Sequence, residues 1–214
     1  MADTTTMETS CLNVLKAMLA QRGIKDANGF QTVANPAADT HMFTYNSILV
    51  AFSEKSRVSE KDLMNLVAFA QENQYSNGMI IVTPSKPSDT VLNALRKYLV
   101  TPENPLVQIF ETRILQFYAN ALPFVSEENL RHRKVPKHRI LSKEEADEVV
   151  RTYCTKEIEP GVKVTKPEFL AKIDCQDAAA KWVGARPGQI LEISGLCESS
   201  GDNLRYRLCI EHAR

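Results

Sequence analysis

The chain has 214 residues, a hydrophobic fraction of 43%, a charged fraction of 24% and a formal net charge of zero. That length suits one large domain or two small ones, and the composition excludes a chain disordered throughout. Balanced charge argues against a free-standing nucleic-acid binder, which draws most of its affinity from excess cations facing phosphate.

The first ten residues are polar and are expected to fray. From Cys11 the period becomes helical, with Leu12, Leu15, Met18 and Leu19 on one face and Gly23 as the stop signal. Residues 25–41, with Gly29 and Pro36, read as an irregular connection. Thr44 to Phe52 reads as one strand. Ser59 caps the next helix, with Asp62 completing a capping box and Leu63, Leu66, Val67 and Ala70 facing inward. Asn77-Gly78 is read as the end of that helix, and Met79 to Val82 as a strand buried on both faces. After the break at Thr83-Pro84-Ser85-Lys86-Pro87, Ser88 or Asp89 opens a helix that buries Val91, Leu92, Leu95, Tyr98 and Leu99. Val107 to Phe110 is a further strand, and Ile114 to Tyr118 a weaker one. Strands alternating with helices predict an α/β domain.

Residues 120–130 read as a linker or short helix. Beyond them the composition shifts: residues 1–130 hold 10 basic and 13 acidic side chains, and residues 131–214 hold 16 and 13. Arg131 to Arg139 is densely basic, Ser142 to Glu145 is a second capping box, and Val149, Val150 and Tyr153 face inward from its helix. Pro160-Gly161 marks a turn. Ala178 to Val183 reads as a short helix closed by Gly184, with Trp182 as a buried candidate. Gln189 to Ile193 and Leu204 to Ile210 predict an antiparallel pair, with Gly195 and Gly201 in a long turn between them.

Catalytic patterns are missing. The sequence contains no Walker A loop, no G-x-G-x-x-G and no G-x-S-x-G. A nuclease centre needs carboxylates on adjacent strands to hold a hard metal, and the strand candidates around Ile48 to Phe52 and Met79 to Val82 carry none. His132, His138 and Cys154 match no zinc spacing, and the five cysteines include no C-x-x-C pair. The longest apolar runs are too short to span a bilayer, and the N-terminus lacks the features of a secretion signal, so an intracellular setting is expected.

The run from Arg131 to Glu145, RHRKVPKHRILSKEE, carries a family resemblance. His132, Val135, Pro136, Lys137, His138, Leu141 and Ser142 stand in the register of the signature that opens the small H-type component of archaeal RNA polymerase and its Rpb-five-type eukaryotic counterpart. Further on, Leu170-Ala171-Lys172-Ile173, Asp177-Ala178, Trp182-Val183-Gly184, Arg186 to Ile190, Glu198 to Gly201 and Tyr206-Arg207 resemble the rest of that pattern. Both of its prolines are replaced by alanine, and its usual serine before the glutamate by Cys197. In the first half, Gln21-Arg22-Gly23, Gly78-Met79-Ile80, Thr83-Pro84-Ser85 and Phe110-Glu111 are similar to the extra N-terminal domain of the eukaryotic form. About ten extra residues near 160–168 mark a divergent copy, as from a protist or a large DNA virus.

The resemblance implies two domains of mixed α+β and α/β class: a nuclease-like α/β jaw domain over 1–128 and a small α+β assembly domain over 129–214. It implies a non-catalytic subunit without cofactor or metal, in a hetero-oligomer that docks on the largest polymerase subunit and lines the lower jaw near downstream duplex DNA. His132, Val135, Pro136, His138, Glu198, Ser200, Gly201, Tyr206 and Arg207 are the expected partner-binding residues. Gly201 is expected to need a glycine backbone, and Arg207 to grip a carboxylate. Thr83, Pro84, Ser85 and Lys86 are the expected DNA-proximal loop. The setting is the nucleus if the host is cellular, and a virion or cytoplasmic viral factory if it is viral. An independent metal-dependent enzyme and a free-standing transcription adaptor are the competing readings.

Overall fold

A computed structural model describes residues 4–34, 39–121, 136–197 and 201–211. The chain divides into two compact units, Met1–Glu127 and Glu128–Arg214. Each mixes helices with sheet.

The first described element of the first unit is α1 (Thr4–Gln21), so residues 4–10, expected to fray, already form helix. Cys11, Val14, Leu15, Met18 and Leu19 are buried at helical spacing. The Ile24 amide donates to the Leu19 carbonyl and the Gly23 amide to that of Ala20, which closes the helix as a Schellman motif. The expected irregular stretch contains a short strand, β1 (Gln31–Val33). The single strand expected over 44–52 is a hairpin of β2 (Thr40–Tyr45) and β3 (Ile48–Ser53). Its turn residues, Asn46 and Ser47, both have positive φ, the geometry that suits a two-residue hairpin. No glycine stands there, and distant groups stabilise the turn instead. The Asn46 amide donates to Asp26 Oδ2 at 2.8 Å, and Asn77 Nδ2 donates to the Asn46 carbonyl at 2.7 Å.

Helix α2 (Glu60–Glu72) has the expected capping box between Ser59 and Asp62, and it buries Leu63, Val67 and Ala70. It ends at Asn73, ahead of the expected Asn77-Gly78 stop. Gly78 instead opens β4 (Gly78–Thr83), where φ is +119° and an added Cβ would overlap the Leu106 carbonyl oxygen. Helix α3 (Asp89–Val100) is capped by Ser88 and followed by β5 (Val107–Glu111). Ile114 to Tyr118 is helical, within α4 (Thr112–Ala121), rather than a strand; Ile114 is exposed while Leu115 is buried.

The sheet order is β1-β2-β3-β4-β5, with β3, β4 and β5 parallel and the β1 and β2 pairings antiparallel. Every residue of β3 and β4 is buried, so both faces of the sheet are covered. Two successive crossovers in one direction place α2 and α3 on one face. Helix α1 packs against α4, and that pair accounts for the other face.

The second unit holds a four-stranded sheet built from β6 (Lys137–Ile140), β9 (Ala171–Asp174), β10 (Ile190–Cys197) and β11 (Gly201–Ile210), in the order β6-β10-β11-β9. Helix α5 (Lys143–Tyr153) forms with its capping box intact. It packs Val149 on Leu141, Ile190 and Leu208, with Val150 and Tyr206 partly buried beside them. Tyr153, expected inside, is 63% exposed. Helix α6 (Ala178–Val183) runs from an Asp177 cap to Gly184; Trp182 is half-buried rather than buried. The β10–β11 pairing extends to Cys197 against Gly201. Only residues 198–200 separate the strands, so Gly195 lies within β10 and the long turn is absent. Exposed strands β7 (Thr155–Glu159) and β8 (Val162–Thr165) form a separate two-stranded ribbon around the expected Gly161 turn. Residues 122–130, most of the expected linker, lie outside the described residues.

Candidate partner and nucleic-acid interfaces

Of the expected partner-binding residues, Pro136, His138, Gly201, Tyr206 and Arg207 lie on or next to the strands of the second unit's sheet. His132, Val135, Glu198 and Ser200 lie outside the described residues. Pro136 leads into β6 and sits against Gly195, where an added Cβ would come within 3.1 Å of the proline Cβ. His138 is half-buried on β6 opposite Ile193, and its Nδ1 is 3.0 Å from the Pro136 carbonyl oxygen. Gly201 begins β11 with φ +70°.

Strand alternation separates the last two signature residues. Tyr206 pairs with Glu192, whereas Arg207 pairs with Leu191, so their side chains project from opposite faces of the sheet. His138 shares Arg207's face, because Ile193 and Leu191 are two apart on β10. Arg207 is half-buried and forms no carboxylate pair among the described residues.

On the other face, Tyr206 lies beside the exposed Tyr153, with ring centroids 5.6 Å apart. Leu204, two residues along β11, projects on the same side and is 52% exposed. Arg139 borders this surface. Its guanidinium contacts Glu145 at 2.9 Å and Glu192 at 3.1 Å. These bonds raise the Arg139 pKa, chiefly through Glu192. The Ser142 amide, followed by Arg139, lowers that of Glu145. Burial, reinforced by Glu192, pushes the Tyr206 phenol up. Arg139, the last member of the basic run, is thus an exposed clamp between Glu145 and Glu192. Tyr153, Leu204 and the Arg139 clamp were missed from sequence; strand pairing that brings position 192 to 139 leaves no local signal.

In the first unit, the Thr83 to Lys86 loop leaves the carboxyl end of β4. Thr83 is buried; its Oγ1 donates to the Ser85 carbonyl at 2.8 Å, and its own carbonyl accepts from Thr112 Oγ1 at 3.1 Å. Ser85 Oγ donates to the Ser56 carbonyl. Thr83 and Ser85 thus tie the end of β4 and its loop to the start of α4 and to the loop after β3, while Pro84 and Lys86 are exposed. Among the described residues, no three His, Cys, Asp or Glu side chains are grouped to hold a metal, and no helix is long and apolar enough to cross a membrane.

Residues 128–209 match the family model for the RNA polymerase Rpb5 C-terminal domain. The DNA-directed RNA polymerase subunit Rpo5 of Archaeoglobus fulgidus is 37% identical over 79 residues, covering 37% of this chain and 91% of that protein. Rpo5 of Thermococcus onnurineus is 38% identical over 80 residues, 37% of this chain and 85% of its own. A longer match is to the Dictyostelium discoideum DNA-directed RNA polymerases I, II, and III subunit rpabc1: 26% identity over 165 residues, 77% of this chain and 73% of that one.

Proposed function

The chain belongs to the Rpb5 family of DNA-directed RNA polymerase subunits, and from that premise we propose that it is a non-catalytic subunit anchored to the largest polymerase subunit by residues 129–214. Residues 1–128 then form a jaw domain beside downstream duplex DNA. One observation carries the assignment of assembly to the second unit. A protein named as a polymerase subunit in Archaeoglobus fulgidus has 91% of its length matched by 79 residues of this chain, and the family match falls on 128–209. A protein made almost wholly of this unit is thus itself a polymerase subunit.

The unit's surface supports the reading. Tyrosine and arginine are favoured at the buried centres of protein interfaces. Tyr153, Tyr206 and Leu204 offer an aromatic and apolar surface on one face, and Arg207 and His138 a polar one on the other. His132, Val135, Pro136, His138, Glu198, Ser200 and Gly201 complete the proposed partner-binding set with Tyr206 and Arg207. Lys86 faces DNA phosphate at the jaw, in company with Thr83, Pro84 and Ser85. Because the net charge is zero, that contact operates within the assembled enzyme rather than as independent binding. The protein works wherever its polymerase transcribes: the nucleus of a cellular host, or a virion or cytoplasmic viral factory.

Co-expression of the full chain with the largest subunit tests this. The two should co-purify in equal amounts, and Arg207→Ala should weaken the complex while Lys86→Ala leaves it intact. Association that withstands Arg207→Ala and Tyr206→Ala together, but fails on changes confined to the first unit, would overturn the assignment.

A further inference from the structure

Strands β7 and β8 form a ribbon separate from the four-stranded sheet, and all of their residues except Val164 are exposed. A two-stranded ribbon is at best marginally stable by itself in water. This one is secured at its base. The Thr155 and Thr165 hydroxyls are 2.8 Å apart, the Lys166 amide donates to the Cys154 carbonyl at 3.1 Å, and Lys156 Nζ lies 4.7 Å from the centre of the Phe169 ring. Toward the tip it exposes apolar surface, with Ile158 63% and Val162 48% accessible. Backbone pairing fixes which groups of β8 face outward. The Lys166–Cys154 bond continues the register of Thr155 with Thr165 and Lys156 with Val164. Bonded and non-bonded pairs alternate along an antiparallel ladder. Lys156 and Val164 are therefore a bonded pair, and Lys163 and Thr165 turn their amides and carbonyls away from β7. Among the described residues no third strand pairs with β8. The β7 edge is less regular, because its register shifts between Glu157 and Glu159, and a bulge disrupts pairing. Charge also separates the edges. Glu157 and Glu159 stand on β7, whereas Lys163 stands on β8 and Lys166 just beyond it; both lysines are exposed and form no ion pair among the described residues.

We propose that the β8 edge takes up, as a third strand, an extended acidic segment of a neighbouring polymerase subunit. The inference rests on the reading of the chain as a polymerase subunit. The outward amides and carbonyls of Lys163 and Thr165 supply main-chain bonds to the segment. Val162 and Val164 share one face of the strand and pack on its alternate apolar residues. Lys163, on the other face, meets its carboxylates, and Lys166 adds to the positive potential at the same edge. An edge of four residues falls far short of the roughly 1,200 Å² of total surface that a stable, specific interface buries. The segment therefore belongs to a protein that assembly of the polymerase already holds alongside, and neither a freely diffusing partner nor a second copy of this chain gains enough from the contact.

The test compares amide hydrogen exchange in the full chain alone and in the full chain assembled into polymerase. On assembly the Lys163 and Thr165 amides should each slow by about tenfold, as each gains a main-chain bond. Lys163→Pro removes an outward donor that β7 does not use, at an edge position where proline is tolerated. The ribbon should survive this change while Thr165 loses its protection. Lys163→Glu with Lys166→Glu should abolish the protection by charge repulsion, and Glu159→Gln, on the opposite edge, should leave it unchanged. Assembled polymerase in which both amides exchange as fast as in the free chain overturns this inference while the polymerase reading stands. Protection that arises in the free chain and rises with its concentration overturns it in favour of a second copy. Protection that vanishes when nucleic acid is removed overturns it in favour of a phosphate backbone. Failure of the wild-type chain to enter the polymerase refutes the earlier reading instead.

Discussion

Replacing Gly78 with alanine tests whether close approach, rather than turn geometry, places a glycine at the head of β4. Its φ is +119° and its missing Cβ faces the Leu106 carbonyl oxygen. That same oxygen accepts the Met79 amide at 2.7 Å. Holding alanine at such a φ costs about 1–3 kcal/mol. Relieving the overlap displaces Leu106 and breaks the Met79 bond, adding about 1–2 kcal/mol, because Met79 is buried and its amide is left unpaired. The sum is about 2–5 kcal/mol, a large share of the roughly 5–15 kcal/mol that keeps a domain folded. Gly23→Ala is the matched comparison: φ is +79° in the same unit, but no atom lies within 4 Å of the added Cβ. It should cost only about 1–2 kcal/mol. Urea denaturation followed by far-UV circular dichroism measures both. The sole tryptophan, Trp182, belongs to the second unit, so its emission follows that unit separately. Equal losses from the two alanines, or less than about 2 kcal/mol from Gly78→Ala, would refute the close-approach argument.

Ser142→Ala removes the hydroxyl that accepts the Glu145 amide and should destabilise the second unit by about 1 kcal/mol, read from the Trp182 unfolding midpoint. Lys55 and Ser59 hold the Asp62 carboxyl down at about 2, below its usual 3.8. Its folded pKa is depressed, so its stabilisation is present above about pH 4 and disappears as pH falls through about 2. The stability gap between wild type and Asp62→Asn should therefore close over that window in acid titrations of the unfolding midpoint. Gly201→Val places a β-branched residue at φ +70° and should weaken co-purification with the largest subunit more than Lys86→Ala does, as a pull-down compares directly.

Local chemistry was legible without the fold. Ser59-Asp62 and Ser142-Glu145 carry both capping-box partners within four residues, and both boxes form. The helical stop at Gly23, the doubly buried Met79–Val82 run and the Pro160-Gly161 turn are likewise written in adjacent residues. The run from His132 to Ser142 and the residues through Arg207 were sufficient to indicate the family. Long-range contacts decided the rest. Asn46-Ser47 lacks the usual hairpin glycine, and the turn is held by Asp26 and Asn77, 20 and 31 residues away. Ile114 to Tyr118 has enough apolar content to suggest a strand, but the helix that contains it, α4, has α1 to pack against, and tertiary burial outweighs propensity. Tyr153 lies at an inward-looking helical position yet is largely exposed beside Tyr206. Opposite faces for Tyr206 and Arg207 and the Arg139 clamp on Glu192 both follow from strand pairing. Pairing joins residues far apart in the chain, and no local pattern encodes which strand lies beside which.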